Sequence, residues 1–106
     1  MDTSKLEPMI DEAIARSAQV ALASLAKGRW QNIHTEIQDD STFVLLTADA
    51  PSLSEGELTT EQRAQVAAAI DNVVPTHSNQ DFGSWMVVFK KNGEVFASIY
   101  PGPGGL

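Results

Sequence analysis

The 106-residue sequence predicts one α+β domain in the order α-β-β-α-β-β, built as a four-stranded, mainly antiparallel sheet with two helices packed on one face. Three observations predict it. Two segments carry apolar residues at helical spacing behind capping residues, two pairs of segments read as strands, and Asn92-Gly93 closes the second pair. A chain of this length forms one core without disulfides or a structural metal. Residues 1–100 are assigned to the domain and 101–106 to a flexible Pro/Gly tail.

The first helix is expected to start behind Ser4, which makes a capping box with Glu7 and leaves Pro8 in the first turn. Leu6, Met9, Ile10, Ala13, Ile14, Ser17, Ala21 and Leu25 supply its buried face, and Lys27-Gly28 stops it. Many of its positions are Ala or Ser, so a neighbour can approach closely. Residues 29–38 alternate, with Ile33, Thr35 and Ile37 on one side and Asn32, His34 and Glu36 on the other. Residues 38–41 form a turn, and the near-continuous apolar run Phe43–Ala48 reads as a strand covered on both sides. Helix two follows a loop punctuated by Pro51 and Gly56. Thr59 and Gln62 stand in capping-box register, Val66, Ile70 and Val73 face inward, and Pro75 ends it.

The last hairpin carries the clearest local signal. Asn92-Gly93 suits a type I′ turn, whose two central residues need positive φ. A regular register from that turn sets Lys91 opposite Glu94, Phe89 opposite Phe96, Val87 opposite Ser98 and Trp85 opposite Tyr100. One face then carries Trp85, Val87, Phe89, Phe96 and Tyr100. The other carries Met86, Val88, Lys90, Val95, Ala97 and Ile99. Either the aromatic face is the core or it is the interface; in both cases an apolar surface is left for a partner.

Charge is unevenly placed. The formal net charge is −7, and no Lys or Arg lies between Arg29 and Arg63, where Glu36, Asp39, Asp40, Asp49, Glu55, Glu57 and Glu61 fall. Such a field disfavours nucleic acid and anionic membrane and favours a basic partner, although acidic loops also serve plain solubility. The alanine-rich segment is broken by Asp11, Glu12, Arg16 and Gln19, so it is no membrane span, and the acidic N-terminus has no signal-peptide pattern. A cytoplasmic location is expected. With no cysteine, thiolate catalysis, disulfides and Cys-ligated metals are excluded.

Reactive side chains are few. His34 shares a strand face with Glu36, which offers at most a pair of ligands, and His77 lies in a polar loop with Ser78 and Asp81. Neither has metal-ligand spacing, and triad residues adjacent in one short loop do not make a triad. No nucleophile elbow, phosphate-binding glycine loop or catalytic carboxylate pair is present. The expectation is a non-enzymatic protein with no metal and no cofactor.

In size, acidity and the pattern Trp85-x-Val87-x-Phe89-x3-Gly93-x-Val95 followed by Tyr100-Pro101, the chain resembles the small acidic immunity proteins of bacterial toxin systems. The resemblance implies a cytoplasmic inhibitor that occludes a basic, nuclease-like toxin. Glu36, Asp39, Asp40, Asp49, Glu55 and Glu57 are the partner-binding candidates from charge. Trp85, Val87, Phe89, Phe96 and Tyr100 are the apolar interface candidates from the hairpin. The alternative is a homo-oligomer, a homodimer in its simplest form, that binds a small ligand or acts as an accessory subunit. A hydrolase using His34 or His77 ranks third.

Overall fold

The computed structural model describes residues 9–38, 41–51, 58–75 and 84–101. The order is α1 (Glu12–Ser24), β1 (Gln31–Gln38), β2 (Phe43–Asp49), α2 (Thr60–Asp71), β3 (Trp85–Lys91) and β4 (Glu94–Ile99). Among the described residues the chain is an α+β fold of two helices and one four-stranded sheet. Its strands lie in sequence order, β1-β2-β3-β4. The two hairpins pair antiparallel, whereas β2 and β3 pair in parallel at the centre. That parallel pair follows from connectivity, since the segment containing α2 must carry the chain back before β3 begins, as any parallel connection must.

Helix α1 begins later than the capping box predicts. Met9 and Ile10 are not helical, and the N-cap is Asp11, whose Oδ1 accepts from the Ile14 N–H at 2.9 Å. Ser4 and Glu7 lie outside the described residues. Asp11 satisfies one of the free N–H groups of the first turn and places a negative charge at the positive helix end. After α1 the chain turns through Lys27 and Gly28, both at positive φ, which frees it from the helix as the Lys-Gly pair predicts. Helix α2 is capped as expected, by Thr59 Oγ1 accepting from Gln62 N–H.

One alternate set of strand side chains is fully buried. Val44, Leu46 and Ala48 of β2, Trp85, Val87 and Phe89 of β3, and Ala97 and Ile99 of β4 form a single cluster with Ala15, Ala18 and Leu22 of α1 and Val66, Ala67 and Ile70 of α2. Trp30, just after the α1 stop, joins them; its indole N–H donates to the Leu22 carbonyl and its ring lies 5.0 Å from that of Phe89. Trp85 is buried at the centre, and its indole N–H donates to Asp71 Oδ1 at 2.7 Å, tying β3 to the end of α2. Replacing Asp71 with Ala leaves that donor unsatisfied and is expected to cost about 1–3 kcal/mol in urea denaturation. Asp71→Asn keeps an acceptor oxygen and should cost distinctly less.

The second hairpin turns at Asn92-Gly93, both at positive φ as a type I′ turn requires, with Lys91 opposite Glu94. Beyond that pair the predicted register fails. Lys90 pairs with Val95, but Phe89 pairs with Ala97, Val88 with Ser98 and Val87 with Ile99, so Phe96 is the extra residue of a β-bulge. The physical reason lies in what faces the core. An unbulged strand would bury the Ser98 hydroxyl beside Val87 and expel Ile99, at the cost of an unpaired polar group. The bulge reverses that parity.

Candidate functional site

The burial alternation leaves the sheet with a second face. On β1 it carries His34 and Glu36, both exposed; on β2 Phe43, Leu45, Thr47 and Asp49; on β3 Met86, Val88 and Lys90; and on β4 Val95 and Ser98. Cross-strand registers arrange these in rows. One row is Glu36, Leu45 and Met86; the next is His34, Thr47, Val88 and Ser98; the last is Asp49, Lys90 and Val95. Phe43, Leu45, Met86 and Val88 are half-buried against their strand neighbours, and Val95 is 59% exposed. None of these five belongs to the core cluster. Together they make an apolar stripe across the middle of the sheet.

This placement revises two expectations. Phe43–Ala48 is buried on one face only, because no described helix contributes to a cluster on the other. Of the apolar interface candidates, Trp85, Val87 and Phe89 are fully buried in the chain's own core and are unavailable to a partner. Phe96 is half-buried against that core, and Tyr100 is half-buried just past β4. The alternative face holds for β3, where Met86 and Val88 point outward. It fails for Ala97 and Ile99, which the bulge turns inward.

The acidic candidates divide. Glu36 is exposed on β1, and Asp49 is half-buried at the end of β2, where its Oδ2 accepts from Asn32 Nδ2 at 3.1 Å. Asp39, Asp40, Glu55 and Glu57 lie outside the described residues. Their flanking anchors, Ser41 and Pro51, stand beyond opposite ends of β2. Those ends are about 20 Å apart at the usual strand rise.

His34 stands exposed on β1 opposite Thr47, and His77 lies outside the described residues. Among the described residues, no three His, Cys, Asp or Glu side chains gather as a metal site would need. A groove of about 400 Å³ between α1 and β1 is lined by Glu12, Ala15, Arg16, Gln19, Thr35 and Ile37. Sequence reasoning missed both this groove and the Phe43/Leu45 half of the stripe. Residues 43–46 are all apolar, so the sequence carries no alternation there that separates the outer Phe43 and Leu45 from the buried Val44 and Leu46. No helix among the described residues is long and apolar enough to cross a membrane. No protein-family model, curated protein or solved structure matches the chain.

Proposed function

We propose that this chain is an acidic protein-binding module whose outer sheet face seats a basic protein. The observation that supports the reading most is the stripe of Phe43, Leu45, Met86, Val88 and Val95. It is an apolar surface on a face that no described element covers, and contiguous patches of this kind mark interaction sites. Its chemistry matches a partner surface with an apolar centre and basic ends. Glu36 stands beside Leu45 in the stripe, Asp49 lies across from Lys90 at the other end of β2, and the net charge is −7. The finer form of the proposal is an immunity-type inhibitor, working in the cytoplasm, that covers the active surface of a nuclease-like toxin. Charge steers the encounter, and apolar contact on the sheet holds the complex.

The test begins with a basic protein captured on the immobilised chain. Its association rate is then compared for the wild type and for a variant with Glu36→Gln, Asp39→Asn, Asp40→Asn and Glu55→Gln. The variant is expected to associate about tenfold more slowly in low salt, with a flatter salt dependence, because rim charge acts chiefly on the on-rate. Its melting temperature should hardly move, since an exposed acid such as Glu36 contributes little to stability. An unchanged rate in low salt would assign the acids to solubility alone.

A further inference from the structure

We propose that β1 is a self-complementary edge at which two copies of this chain pair antiparallel about Thr35, joining their sheets into one of eight strands. β1 is a terminal strand of the sheet, so one side of its backbone is unpaired by the sheet. Which residues face that side follows from the ladder. Val44 N–H donates to the Ser84 carbonyl on the β3 side, so in β2 the residues that face β1 are Phe43, Leu45 and Thr47. Their partners Gln38, Glu36 and His34 therefore spend their backbone groups on β2, and Thr35 and Ile37 direct theirs outward. The outward Ile33 carbonyl agrees, because it accepts from Gln19 Nε2 of α1 at 2.9 Å; in the pairing it would take the partner's Ile37 N–H on its second lone pair.

Only registers that set outward residues opposite outward residues can form a ladder. Centring on His34 sets two imidazoles face to face, and centring on Glu36 sets two carboxylates face to face. Centring on Thr35 places His34 opposite the partner's Glu36 and Glu36 opposite the partner's His34. It also places Ile33 and Ile37 opposite each other twice on the inner side. Opposite-charge or donor–acceptor pairs directly across a non-hydrogen-bonded site are the favourable arrangement, and like charges there are unfavourable. The geometry beside the edge has room for this. The groove between α1 and β1 is lined in part by Thr35 and Ile37, two residues of this edge. On the surface of α1 that shares Arg16 with this groove, Val20 is 61% exposed beside Ala13 and Ser17, small enough neighbours for a second α1 to approach. Strand addition of this kind gains affinity from main-chain hydrogen bonds and specificity from alternate side chains. The inference stands apart from the partner proposed for the outer face, because it concerns the purified chain alone.

The experiment is sedimentation equilibrium of the purified full chain over a concentration series, with circular dichroism to check the fold. The wild type is expected to dimerise. Thr35→Pro removes an outward N–H that the chain's own sheet does not use and should weaken the dimer at least tenfold. His34→Glu, at an exposed position, sets carboxylate against carboxylate twice and should weaken it similarly. His34→Lys should tighten it several-fold in low salt. A wild type that stays monomeric into the millimolar range would overturn the proposal. So would a dimer whose affinity is unchanged by His34→Glu and His34→Lys, whether or not Thr35→Pro folds.

Discussion

Trp85→Ala is expected to remove about 3–5 kcal/mol of the chain's stability. Trp85 is 0% exposed, sits opposite Val44 in the central parallel pair, and donates its indole N–H to Asp71. Truncating a buried Trp costs about 3–5 kcal/mol through lost transfer energy and the cavity left behind. A domain of this size has a total stability of only about 5–15 kcal/mol. The neighbouring Met86 makes the control. It lies on the outer face, half-exposed, so Met86→Ala should cost less than about 1.5 kcal/mol on the usual area scaling. Urea midpoints for the two variants measure the difference. Equal midpoints would contradict the assignment of inner and outer faces on β3.

The second large effect falls on binding rather than folding. The double variant Leu45→Lys and Val88→Lys should weaken capture of the basic partner by at least about 100-fold, measured by calorimetry or surface plasmon resonance. Each position removes an apolar side chain worth about 1.5–3 kcal/mol when fully covered. Each also adds a cation facing a basic surface, and like charges brought together at an interface cost more again. The fold should survive, because both side chains are half-exposed and a Lys can lay its stem along the sheet while its ammonium stays in water. Undiminished affinity in a folded double variant would place the binding surface elsewhere.

How far the sequence reveals this fold can be judged at particular residues. Thr59 caps α2 and Asn92-Gly93 turns the second hairpin, as local chemistry dictates, because each signal lies within a few residues of the contact it makes. The start of α1 is hidden in the sequence, where Ser4-x-x-Glu7 matches a capping box and Asp11 looks like a polar break in an alanine-rich segment; in the structure Asp11 is the cap itself. The bulge at Phe96 was not legible, since the unbulged register also gives apolar pairs. What decides it is the demand of the core beside Val87 and Phe89 for Ile99 and Ala97. Ser98 gains from the same shift, as its carbonyl accepts from Arg63 Nη1 of α2 at 2.9 Å, closing part of the β4 edge. The candidate surface was half legible for the same reason. Sequence alternation separates Trp85, Val87 and Phe89 from Met86 and Val88, but only the packed helices show which set is covered.

The most direct measurement is amide chemical-shift mapping of the labelled chain as the captured basic protein is added. Binding through the outer face predicts perturbations concentrated at residues 43–47 and 86–90, with Glu36 and Val95 at the margin. The amides of α1 and α2, on the covered side of the core, should change little. Shifts confined to the helices, with residues 43–47 and 86–90 undisturbed at saturation, would contradict the account.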